Sequence, residues 1–229
     1  MVRNSLETLT RAGDDGEQYD PEPRWPAFIA VLAVGGLYMA LPPAITLGPN
    51  WLFPSLVLAL LIPTVVSHHT GWHRLNAIFG FAVDGVLTLG LIISVTLLIG
   101  ALPAHKEAPE ELLISAALLW TTNILVFALW YWRLDAGGPH QRDKRPGHTD
   151  GAFLFPQMTM SEEALKKAGQ EDWSPDFVDY LFLAFNTSTA FSPTDTPVLA
   201  RWGKVLMMLQ SLLSLLVIAL LAARAVNIL

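Results

Sequence analysis

No Asp, Glu, Lys or Arg falls between Arg24 and Arg74, between Asp84 and Lys106, between Glu111 and Arg133, or between Lys204 and Arg224. A helix needs roughly 20 predominantly apolar residues to cross a bilayer, and each of these runs is long enough. A soluble fold of 229 residues could bury a core without them. Only 15% of the residues are charged, against about a quarter in soluble domains. The chain therefore reads as all-α: a polytopic α-helical membrane protein with five to six transmembrane helices, the lipid bilayer its first partner.

The rest of the composition excludes more than it assigns. The net charge of −6 leaves no basic stripe for phosphates, so nucleic acid is not expected as a partner. The absence of cysteine removes disulfides, thiolate metal sites and a cysteine nucleophile. Residues 1–24 are too acidic for the start of a signal peptide, and they read as a cytoplasmic acidic tail before a retained first span.

Residues 25–132 read as a four-helix membrane region with spans near Trp25–Leu41, Trp51–Val66, Asn76–Leu102 and Leu112–Trp132. Pro42 and Pro43 end the first, and Pro63 predicts a kink in the second. Trp25, Trp51, Trp72, Trp130, Trp132 and Trp202 sit at span ends, as an aromatic belt at headgroup depth requires. His69 and His73 have the i, i+4 spacing of a metal pair, with His68 adjacent. Gly71 lies between them and no carboxylate is near, so interfacial polar residues are the expectation, with no metal and no cofactor. Asp84 is the intramembrane ionisable residue; such a group needs a partner or a water-lined surface. Thr121, Thr122 and Asn123 suit hydrogen bonds between helices.

Residues 133–173 form a hydrophilic loop. Within it Phe153–Pro156 is an apolar patch expected to dock against the membrane or the helix bundle. Ser161 to Gly169 reads as a short helix with an N-cap and a C′ glycine.

Residues 174–229 read as a helix–break–helix membrane module. Ser174 and Pro175 give a cap-then-proline start for a helix that turns polar at Asn186, Thr187, Ser188 and Thr189. It breaks through Ser192, Pro193, Thr194 and Asp195, and Thr196–Pro197 repeats the start signal for the last helix. Pro175 to Ala190 would span about 24 Å, short of a hydrocarbon layer of about 30 Å. Irregular backbone at membrane depth is tolerated where it lines a cavity or is buried in protein. Asn186, Thr187, Ser188, Thr189, Ser192, Thr194 and Asp195 are therefore the candidates for a polar path.

From about Leu119 to the end, the chain resembles a family of uncharacterised bacterial multi-pass membrane proteins, a domain of unknown function. The likeness is carried by Val126–Tyr131, Leu154-Phe155-Pro156, Asp179–Phe185, Thr194-Asp195-Thr196 and the ending Ala225-Val226-Asn227. It implies the bacterial cytoplasmic membrane and brings no activity with it. The final module is more distantly similar to the pore helix, filter and inner helix of potassium channels. None of Phe191, Ser192, Pro193 and Thr194 is glycine, and Pro193 cannot adopt the positive φ such a filter uses.

Two functions follow as expectations. One is a channel- or transporter-like protein passing an ion or small solute along residues 186–195, as a monomer or homo-oligomer. The other is a non-transporting scaffold that binds a partner through residues 133–173. No phosphate loop, zinc motif or nucleophile elbow is present, so an enzyme is not expected. The charge distribution favours six crossings with both termini inside, over five crossings with residues 175–192 re-entrant.

Overall fold

The computed structural model describes residues 21–101, 109–145, 148, 150–171, 173–191 and 195–228. Its elements are helices: α1 (Trp25–Met39), α2 (Leu52–His69), α3 (His73–Ala101), α4 (Pro109–Leu134), α5 (Pro139–Arg142), α6 (Glu162–Ala168), α7 (Phe177–Thr189) and α8 (Arg201–Ile228). Among them α2, α3, α4 and α8 are long and apolar enough to cross a membrane, and α1 is a shorter apolar helix.

The helix ends follow their local chemistry. Pro26 starts α1, where a missing N–H costs nothing, and Pro42 lies just beyond its end. Thr70 and Gly71, the latter at φ 74°, turn α2 into α3. This turn puts His69 and His73 on different helices, so their i, i+4 spacing makes no pair on one helix face. In α6 the Ser161 hydroxyl accepts from Ala164 N–H at 3.2 Å, and left-handed Gly169 closes the helix, as the sequence indicates.

The long helix α4 is the centre of the bundle, packed against α1, α3, α7 and α8. Its Val126, Ala128, Leu129 and Tyr131 are fully buried. One end of the bundle, here the loop end, gathers the start of α1, the end of α2, the start of α3 and the end of α4. There Arg24 pairs with Asp143, and the His73 and His140 rings stack at 3.5 Å. Phe153 and Phe155 plug the same end from the loop, as the apolar patch predicts.

The final module departs from the expected reading. Helix α7 begins at Phe177, not Pro175. Its cap is Asp176, whose carboxylate accepts from Val178 N–H at 2.7 Å, while the Asp179 side chain accepts from Asp176 N–H at 2.9 Å. This reciprocal box satisfies more orphan donors than Ser174 alone could. The second cap-then-proline signal is also overridden. Leu154 N–H donates to Pro197 O at 2.9 Å and Leu199 N–H to Ala152 O at 2.7 Å, with Phe153 bridged to Val198. That pairing holds the chain extended, and α8 starts at Arg201.

Both helices start at the loop end. Phe177 lies against Trp132 at 6.1 Å and Trp202 against Phe153 at 5.8 Å between ring centres. Deeper in, Gln210 meets Ala184 and Ser188. Helices α7 and α8 therefore run in the same direction, and residues 197–199, just before α8, lie at the loop end. The hairpin implied by six crossings, with Thr196 at the far end, is not formed.

Candidate functional site

The polar residues of the final module are organised by Gln210, fully buried on α8. Its amide donates to Ala184 O at 2.7 Å and to Ser188 Oγ at 2.9 Å. Its carbonyl oxygen accepts from the Tyr131 hydroxyl. On the other side Asn123 Nδ2 donates to Ser214 Oγ at 2.7 Å and to Gln210 O at 3.2 Å. Three helices, α4, α7 and α8, are thus joined by a buried side-chain network. Asn123 Oδ1 has no partner among the described residues.

The candidate path residues divide into three groups. Thr187 and Ser188 are buried on the α7 face toward α8; the Thr187 hydroxyl donates to Leu183 O at 2.8 Å, and Thr187 O accepts from Ser211 at 3.4 Å. Asn186 is partly exposed, and Thr189 is exposed with its hydroxyl turned back to Phe185 O at 2.9 Å. Asp195 is exposed in the return segment, while Ser192 and Thr194 lie outside the described residues. Helix α7 ends with Ala190 and Phe191 exposed, Phe191 at φ 53°.

Asp84 is fully buried on α3 and pairs with Arg133, which reaches back from the end of α4. The guanidinium also lies over the Phe81 and Trp132 rings at 5.9 and 5.5 Å. Gly80 makes room for it: a Cβ there would sit 2.6 Å from Arg133 Cζ. A buried carboxylate with this partner is a helix-to-helix tie.

A third cluster centres on Asp135 at the loop end, buried completely. Its carboxylate accepts from Ala152 N–H and from the Tyr180 hydroxyl at 2.8 Å. His148 Nε2 lies 3.5 Å from Asp135 Oδ2. Arg142 donates to the backbone of Trp132 and Asp135 and to Glu22. Nearby, burial and the adjacent His73 hold the His140 imidazole below its ordinary range. Among the described residues no group of three His, Cys, Asp or Glu is placed to hold a metal.

Gln210 and Arg133 carry these sites and neither is a sequence candidate. Gln210 had a signal: it is the one amide between Lys204 and Arg224. Arg133 looks like a terminal basic residue until its partner, 49 positions away, is known.

No family model, curated protein or solved structure matches this chain.

Proposed function

We propose that this chain is a multi-pass protein of the bacterial cytoplasmic membrane, channel- or transporter-like, with α7 a re-entrant half-helix. The observation that carries this is the parallel run of α7 and α8, tied by Gln210 to Ala184 and Ser188. With 13 residues α7 is about 20 Å long, so it stops inside a layer of about 30 Å. Helices α1, α2, α3, α4 and α8 then make five crossings, and the two termini lie on opposite sides.

The basic residues support the orientation. All fourteen lysines and arginines except Lys106 and Arg224 belong to segments at the loop end or joined to it. By the positive-inside rule that end is cytoplasmic, so α7 enters from the cytoplasmic face. Six crossings would have set Arg201 and Lys204 outside; five bring them in.

A half-helix ending in the bilayer leaves carbonyls and a negative dipole end at depth. Such ends serve ion and solute sites in transporters, and lipid cannot cover them. The exposed Thr189–Phe191 end is therefore closed by further copies of this chain around a polar path suited to a cation. The test is flux in proteoliposomes, comparing wild type with Thr189→Ile and Asp195→Ala. A cation flux lowered by both variants supports the reading; no flux of any cation, anion or proton overturns it.

One observation favours a second reading. Thr187 and Ser188 are occupied by packing against α8, as a non-transporting scaffold requires. Its contact surface would be residues 133–173, and absent flux would leave this reading standing.

A further inference from the structure

The return segment between α7 and α8 is held in place from outside the final module. Ala152 and Leu154, in the hydrophilic loop, bond to Leu199 and Pro197, and Ala152 N–H is itself held by the Asp135 carboxylate. Tyr180, on α7, donates to the same carboxylate. Asp135 thus links the end of α4, the loop and α7, and through Ala152 it reaches the return segment.

One donor is missing from this hub. His148 Nε2 is buried and has no hydrogen-bond partner among the described residues, although Asp135 Oδ2 is 3.5 Å away. Gly151 keeps the approach open, since a Cβ there would lie 2.8 Å from His148 Nε2 and 3.0 Å from Asp135 Oδ1. The rings of Phe155 and Trp173 flank the imidazole, each with its centroid at 6.2 Å.

We infer that Asp135, His148 and the extended 152–154 segment form a pH-responsive clasp on the re-entrant module: protonated His148 bonds to Asp135 and fastens the return segment. A charged imidazole beside a buried carboxylate makes an ion-paired bond stronger than the one a neutral Nε2–H can donate. The groups facing His148 agree with that sign. Asp135 comes from the end of α4, and α7 adds Tyr180, bonded to the same carboxylate, and the nearby Asp179 carboxyl. Arg142 is the opposing cation; it lies over the Tyr180 ring at 5.0 Å, and Glu22 pairs with it. The return segment is therefore fastened in acid and released toward alkaline pH. This supplies the regulation of the module proposed above and rests on its re-entrant reading.

The test is amide hydrogen exchange of the full chain in micelles, read at Leu154 and Leu199 and corrected for intrinsic rates. In wild type, protection is about tenfold higher at acid than at alkaline pH. In His148→Gln it stays flat, with His148→Asn as the second substitution should the first not fold. Tyr180→Phe, which removes a partner that does not titrate here, keeps the rise. A flat wild type, a rise that survives loss of His148, or its loss in Tyr180→Phe overturns the clasp. The readout involves neither flux nor sidedness, so the clasp can fail while the re-entrant reading stands, and the reverse.

Discussion

Gln210 on α8 donates its side-chain amide to the backbone carbonyl of Ala184 on α7 at 2.7 Å. The bond joins two helices that point the same way, where a simple hairpin would oppose them. Replacing Gln210 by Ala leaves Ser188, Tyr131 and the Ala184 carbonyl without their partner in a dry interior. The expected loss is about 2 kcal/mol of unfolding free energy, read by chemical denaturation in micelles. Tyr131→Phe should cost less, and the double variant should cost less than the sum, because both remove one network.

The Asp84–Arg133 pair predicts a different pattern. Arg133→Ala strands a buried carboxylate and should lower stability by about 3 to 5 kcal/mol. Asp84→Asn with Arg133→Gln removes both charges and should recover more than half of that loss. Denaturation of the single and double variants decides it; additive losses would mean that the two side chains do not act as a pair.

Gly80 should tolerate no side chain, because its missing Cβ is the space the Arg133 guanidinium fills. Gly80→Ala is expected to cost about 2 kcal/mol by overpacking. Gly85→Ala, on the same helix with nothing within 4 Å, should be neutral or slightly stabilising when both variants are compared by thermal melts.

Asp179, in the first turn of α7 at the loop end, predicts a pH effect. Burial raises its carboxyl to about 6, against the opposing pull of the Asp176 N–H it accepts. A carboxyl raised on folding favours the folded state when protonated, so this contribution is full at acid pH and is lost as pH rises through about 6. Asp179→Asn keeps an acceptor for the Asp176 N–H and removes the charge. It should be as stable as wild type or more so at pH 7.5, with a weaker dependence between about pH 4 and 6. Thermal melts across that range, wild type beside variant, give the result.

The helices themselves were legible, because charge-free runs and tryptophan belts mark where a chain can be apolar for that long. The short helix at Ser161–Gly169 and the docking of Phe153 and Phe155 were legible from caps and local apolarity. What hydropathy cannot carry is direction. Eleven residues, 190–200, separate α7 from α8, and an extended chain of that length reaches about 36 Å. That is ample to turn at the far end or to return past a 20 Å helix. The outcome is decided by pairing with Ala152 and Leu154, more than forty positions away, which no local pattern encodes. The start at Thr196–Pro197 failed for the same reason: the backbone pairing with Ala152 and Leu154 outcompetes the cap. Composition marks Thr187 and Ser188 as polar positions, but Gln210, which bonds to Ser188 and Ala184, is hidden from it within an apolar helix.

The direction of α7 relative to α8 is measured by sidedness. The chain has no cysteine of its own, so Lys144→Cys and Leu199→Cys can each be placed alone at exposed positions. An epitope appended after Leu229 reports the end of α8. In sealed vesicles treated with an impermeant maleimide, Lys144→Cys and Leu199→Cys should label from the same face, and the epitope should be reached only from the opposite one. Labelling of Leu199→Cys from the face opposite Lys144→Cys, with the epitope on the Lys144 side, would contradict it.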